Sequence, residues 1–193
     1  MASANAIHDM SDTLVHLLQM GIPSPMVDPT RIYVTTPDEF EALQDPSHPH
    51  LTIFLYRISV NPQMRNLPRR TLSNGQNAGQ TSRQLLPLEL SYLITPWAKE
   101  TRDELRIIGL VAQVLYDHSE LGASDLLGNS WEPDDTVQLV LESLPLEDHY
   151  RIWDASEVAY RLSLTYQARV IGIAPAIVTS GPPVVTARIG AAS

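Results

Sequence analysis

Near the start of the chain Ile7, Met10, Leu14, Leu17 and Leu18 recur at helical spacing, and Gly21 with Pro23 supplies a stop. The spacing predicts an amphipathic helix over roughly residues 4–20 with one buried face. Residues 31–35 and 51–60 are β-rich runs that predict strands, the first bounded by Pro29 and Pro37, the second preceded by a turn at 45–50. After Pro87, the residues Leu88, Leu90, Tyr92 and Ile94 alternate with Glu89 and Ser91, the pattern of a strand buried on one face only.

Thr101 and Glu104 have the spacing of a capping box ahead of a helical stripe, Leu105, Ile108, Val111, Val114 and Leu115, widened by Ile107 and Leu110. Val137, Leu139 and Leu141 predict a further strand. Pro145, with Glu147 and Asp148 in a first turn and Tyr150, Ile152 and Trp153 beyond, predicts a short helix whose dipole is complemented. The longest alternation sets Tyr160, Leu162, Leu164, Tyr166, Ala168 and Val170 against Arg161, Ser163, Thr165, Gln167 and Arg169, and predicts a strand with one wet face open to a neighbouring subunit.

These elements specify an α+β single domain over residues 1–173, a mixed, mainly antiparallel sheet packed by helices on one side. Residues 67–84, which include Asn74, Gly75 and Gln76, carry too little apolar surface to offset ordering entropy and are expected to form a mobile loop. From residue 174 to 193 the chain is Pro, Gly, Ala and short apolar pairs. Ile177, Val178, Val184, Val185 and Ile189 make it an expected extended arm that pairs with a partner's open sheet edge.

Composition narrows the function classes. A formal net charge of -9 with no stripe of Lys or Arg argues against direct nucleic-acid binding. With 0 cysteines there is no disulfide framework and no thiolate chemistry, which suits cytoplasmic synthesis. The first 20 residues lack the basic and apolar regions of a secretion signal, and no apolar run reaches the length of a membrane span.

Candidate chemistry is sparse. No phosphate loop, dinucleotide fingerprint, nucleophile elbow or zinc helix motif occurs, so no catalytic, cofactor or metal residue is assigned. His48 and His50 flank Pro49 without an identifiable third ligand. Asp117 with His118, and Asp148 with His149, have the order of orienter and base, but no activated hydroxyl is assignable to either. Glu89 sits on the polar side of its strand, and substitution of it or of any of these histidines is expected to act through stability alone. Trp97, Trp131 and Trp153 are expected in a core or an interface.

The run from Leu86 to Ala98, LPLELSYLITPWA, followed by the helix of residues 104–118, then LVLESLPLE at 139–147 and YRLSLTY at 160–166, resembles the cap, or tube-terminator, family of extracellular contractile injection systems of the Photorhabdus virulence cassette and antifeeding prophage type. The resemblance covers residues 86–173 well, the first helix and second strand loosely, and neither residues 67–84 nor the arm. It implies a ring, expected to be a hexamer, that closes the distal end of the inner tube and holds the last sheath ring, with no reaction. Longer members carry a further C-terminal region. Partners implied are further copies of the chain, the tube protein and the sheath protein, in a particle assembled in the cytoplasm and released or anchored through others. Two other classes stay open: an adaptor linking the particle to a membrane or cargo without forming a ring, and a small hydrolase with a nucleophile among Ser91, Thr95 and Ser163.

Overall fold

The computed structural model describes residues 2–44, 46–65 and 85–173. Helix α1 runs Ala6–Gly21 and buries Met10, Leu14, Leu17 and Leu18, as its spacing dictates. It is followed by strand β1 (Ile32–Val34), two 3-10 turns at Pro37–Glu39 and Glu41–Leu43, and strand β2 (His50–Val60). Then come a short helix α2 (Pro62–Arg65), strand β3 (Leu86–Trp97) and helix α3 (Thr101–Asp117). Strands β4 (Glu120–Leu121) and β5 (Val137–Leu141), helix α4 (Leu146–Asp154) and strand β6 (Leu164–Ile173) complete the described domain.

The strands form one sheet in the order β1-β2-β3-β6-β5-β4. Only β1 with β2 is parallel; the other pairs are antiparallel, as the α+β pattern requires. Helices α1 and α3 cover one face, over Leu51, Ile53, Leu90, Tyr92, Ile94, Tyr166 and Ala168. At Gly21 the two helices approach closely: a Cβ there would lie 2.5 Å from a methyl of Val114.

The second face departs from expectation. Strand β3 is not half buried, because Ser91, Leu93 and Thr95 on its other side are as enclosed as Tyr92 and Ile94. A second core closes over that side at one end of the sheet, where Phe40 and Leu43 from the 3-10 turns meet Trp97 of β3 and Trp153 of α4. The ring pairs Phe40–Trp97 and Phe40–Trp153 sit 5.3 and 5.4 Å apart. Trp97 and Trp153 are therefore core, and the Trp97 indole donates to Thr52 Oγ1 at 2.8 Å. Trp131 is partly buried against the first core, donating to the Leu127 carbonyl.

Other corrections are local. The β6 strand begins at Leu164, so Tyr160 and Leu162 lie outside it, and Leu162 is exposed. Leu105 also faces solvent, and the buried stripe of α3 centres on Ile107, Val111, Val114 and Leu115. The capping box does not form: Glu104 Oε1 instead accepts from the Ala98 amide and from Arg161, 57 residues on. The two-residue β4 was not predicted, being too short to carry a period. The expectations for residues 67–84, with Asn74, Gly75 and Gln76, and for the arm with Ile177, Val178, Val184, Val185 and Ile189, lie outside the described residues.

One glycine is fixed by two constraints. Gly128 has φ +89, and a Cβ on it would lie 2.1 Å from a carboxylate oxygen of Asp9 on α1. The loop it belongs to is pinned to that helix, since Thr13 Oγ1 accepts from the Leu127 amide at 2.9 Å. Gly128→Ala is expected to lose about 2 kcal/mol or more in chemical denaturation. Adding Asp9→Ala should recover the steric part and leave about 1–2 kcal/mol of backbone strain.

Candidate assembly surfaces

The half of the second face away from the aromatic core is sealed by polar side chains, in place of the wet face expected from the β6 alternation. Thr165 and Gln167 are buried. Thr165 Oγ1 donates to the Glu142 carbonyl at 2.8 Å, and Gln167 Nε2 donates to Glu89 Oε2 at 3.2 Å. Glu89 also accepts from Asn61 at 2.7 Å and lies 3.8 Å from Arg169, which in turn donates to Gln167.

The second acidic residue of this ladder, Glu142, follows β5 and receives Tyr56 Oη at 2.8 Å and Arg57 at 2.5 Å on its two oxygens. Consecutive residues of a regular strand cannot reach one partner on one face. A bulge between Leu55 and Arg57 makes it possible, placing Arg57 opposite Ser91 and on the same side as Tyr56. Burial, then the bond to Glu142, pushes the Tyr56 phenol well above its usual range, so it remains a donor at neutral pH.

The structure brings together one pair that sequence order could not. His149 Nε2 lies 2.9 Å from Ser163 Oγ in a cleft of about 330 Å³ lined by Leu141, Glu142, Leu144 and Thr165. The other ring nitrogen is 3.5 Å from the Tyr160 hydroxyl, whereas Asp148 pairs with Arg151. The Nδ1 side of His149 thus faces Tyr160, where a Ser-His-Asp triad would place a carboxylate. Ser91 is buried and accepts from Arg57, and Thr95 is enclosed in the sheet. His48 bonds Ser47 and His50 bonds Arg31, and among the described residues no group of three or more potential ligands could hold a metal. His118 Nδ1 is 2.8 Å from the Val114 carbonyl at the end of α3.

Burial lowers the pKa of His149, and it lowers that of His50, helped by Arg31 and His48. The folded chain therefore binds these protons less readily than the unfolded chain does. Their contribution to stability is complete above the ordinary histidine pKa of about 6.5 and is lost as pH falls below it. Unfolding midpoints should fall between pH 7 and 5, and less steeply in His149→Gln; equal slopes would remove His149 from the effect.

Two exposed surfaces lie at opposite ends of the β2–β3 pair. Ile58, Val60 and Leu86 present apolar side chains 49, 40 and 47% exposed at the far tip of the β2–β3 pair. At the other end, the layer made by the 3-10 turns and α4 exposes Asp38, Glu39, Glu41, Glu147, Asp148, Asp154 and Glu157 against the single basic Arg151. Leu146 and Tyr150 stand among them, 62 and 45% exposed. No long-range sequence signal marks either patch, because neither follows from periodicity. Among the described residues no helix is long and apolar enough to cross a membrane.

The family model described as the Pvc16 N-terminal domain matches residues 9–187. That span includes residues 67–84 and most of the segment after 174, which the resemblance seen in sequence left uncovered. Among curated proteins none matches. The fold is similar to the PVC sheath/tube terminator of an extracellular contractile injection system in its extended state, with TM-score 0.65 and 19% identity over 97% of this chain and 63% of that one. It is also similar to the anti-feeding prophage cap, a tube-terminating cap, with TM-score 0.61 and 16% identity over 94% of this chain and 60% of that one. The chain thus spans about three-fifths of the length of the structures it matches.

Proposed function

Because the chain belongs to the Pvc16 N-terminal domain family, we propose that it is a structural cap subunit of a contractile injection particle, closing the distal end of the inner tube and holding the last sheath ring. The observation that carries this is the extent of the match: nearly the whole chain superposes on a sheath/tube terminator and on a tube-terminating cap. The surface chemistry supports it. A terminator must offer contacts to unlike neighbours, and the domain keeps its polar ladder internally satisfied while exposing two unlike patches at its two ends.

Its partners on this proposal are further copies of itself in a ring, expected to be hexameric, with the tube protein and the sheath protein, and no nucleic acid. It carries out no reaction: His149 and Ser163 hold α4 against the start of β6. The sequence-level assignment of Asn74, Gly75, Gln76, Ile177, Val178, Val184, Val185 and Ile189 to partner contacts belongs to the same proposal. Electron microscopy of purified particles bearing a label on this subunit should show density at one end only. Label along the length, or none on the particle, would overturn the assignment, and particle-free label would favour a separate adaptor.

A further inference from the structure

The sheet leaves part of its β2 margin uncovered. Strand β1 pairs only with residues 51–53 of β2, and the Thr35 amide adds one bond to the Ile53 carbonyl. Among the described residues no strand lies beside the rest of that margin. The Asn61 amide donates to the Pro87 carbonyl, so by antiparallel alternation Ser59 also faces β3, and the backbone groups of Ile58 and Val60 point out of the sheet. The Ile58 and Val60 side chains are 49 and 40% exposed on the first face, and that of Arg57 is 44% exposed on the second.

The opposite margin carries a matching half. Strand β4 is the last strand of the sheet on that side. The Leu139 amide donates to the Ser119 carbonyl, so Ser119 faces β5 and the backbone groups of Glu120, next along, point outward. Partners traced across the sheet, from Ile58 to Leu90, Ala168, Leu139 and Ser119, put β4 level with the bare part of β2. Every pairing between β2 and β4 is antiparallel, through β3, β6 and β5, so the two strands run in the same direction. Glu120 pairs with Gln138, and Gln138 with Arg169, so its exposed carboxylate lies on the second face, as Arg57 does.

We infer that β4 of one copy adds to the bare β2 margin of the next, in line with that copy's β1 and, like it, parallel to β2. Glu120 then stands opposite Ser59, its amide donating to the Ile58 carbonyl and its carbonyl accepting from the Val60 amide, as a parallel pair requires. On the second face the Glu120 carboxylate comes beside Arg57, whose guanidinium has N–H groups beyond the one shared by Ser91 and Glu142. Tyr116, 78% exposed and three residues before Ser119, adds apolar surface at the same margin. Strand β1 holds the half of the margin that β4 does not reach, so the two do not collide. The contact joins two different margins, so rotation repeats it around a ring, and like charge at Arg57 disfavours β2 against β2. This inference rests on the cap proposal for its setting and adds to it the surfaces by which copies join.

The absence of cysteine makes the contact directly measurable. In the full chain, Ile58→Cys and Ser119→Cys are placed singly and together, and treated with a short bismaleimide linker as free subunits and in purified particles. Both sites are exposed, so each variant should keep the wild-type melting curve. The double variant should give a ladder of linked oligomers, and a mixture of the two single variants should give dimers only. Glu120→Arg should cut both products severalfold. Val60→Pro should do the same with the melting curve unchanged, because the N–H it removes points out of the sheet. Linked dimers of Ile58→Cys alone would mean that β2 margins meet each other and would overturn the inference. So would the absence of linking in both settings, or full linking in both Glu120→Arg and Val60→Pro. Linking without label at the particle end would sink the cap proposal and leave this contact standing; end label without linking would do the reverse.

Discussion

Replacing Trp153 with alanine is expected to lower the unfolding free energy by about 4 kcal/mol and the melting temperature on the order of 10 °C. Trp153 is 2% exposed and is the main residue by which α4 enters the second core. Its ring meets Phe40, Trp97 and Tyr160, at 5.4, 6.0 and 6.3 Å between centroids. Alanine leaves a void bounded by aromatic rings that already fix one another, so the site cannot collapse to fill it. Chemical denaturation followed by tryptophan fluorescence, with Trp97 and Trp131 still reporting, measures the loss. A change under about 1 kcal/mol would mean that α4 is a surface appendage and that the second core does not support the fold.

Arg161→Ala is expected to cost about 3 kcal/mol, more than an ordinary surface arginine. Arg161 and Glu104 are 22 and 15% exposed at their side chains, and their ion pair ties the helix α3 side to the connection leading into β6. The same guanidinium donates to the Gln44 carbonyl at 2.8 Å and lies 4.9 Å over the Trp97 ring. Truncation strands the Glu104 carboxylate with one remaining partner, the Ala98 amide. Adding Glu104→Gln should recover part of the loss, because the uncompensated charge goes with it. If the double variant equals the sum of the single ones, the two residues do not act as a pair.

Much of the domain was legible where structure depends on neighbours in sequence. The first helix, the strands β2, β3 and β5 and the short helix α4 follow from local period and stop signals. What was missed involves partners far along the chain. The polar face of β6 reads as solvated because its alternation contains no sign that Glu89, 78 residues before Gln167, stands beneath it. The Thr101 and Glu104 spacing is a sound local rule that lost to Arg161, a stronger ionic partner supplied from elsewhere. His149 and Ser163 sit 14 residues apart with the end of α4 and a turn between them, which spacing rules do not resolve. The carboxylates of the 3-10 turns, Asp38, Glu39 and Glu41, and those of α4 and its end, Glu147, Asp148, Asp154 and Glu157, lie about a hundred residues apart, and only the second core brings them into one layer.

The bulge in β2 also governs how residue roles pass between relatives. Ile53 and Leu55 face the first core, and the extra residue at Tyr56 and Arg57 resets the phase so that Ile58 pairs with Leu90 and Val60 with Leu88 on that same side. A second slip in β6, where Leu88 and Leu90 pair with Ile171 and Ala168, does likewise on the neighbouring strand. A relative lacking one residue here would turn the whole tip inside out while its sequence still aligned on either side of a single gap. At 16–19% identity, a one-position misalignment therefore exchanges the inward and outward residues of the tip, and roles transferred across it must be counted from the bulge.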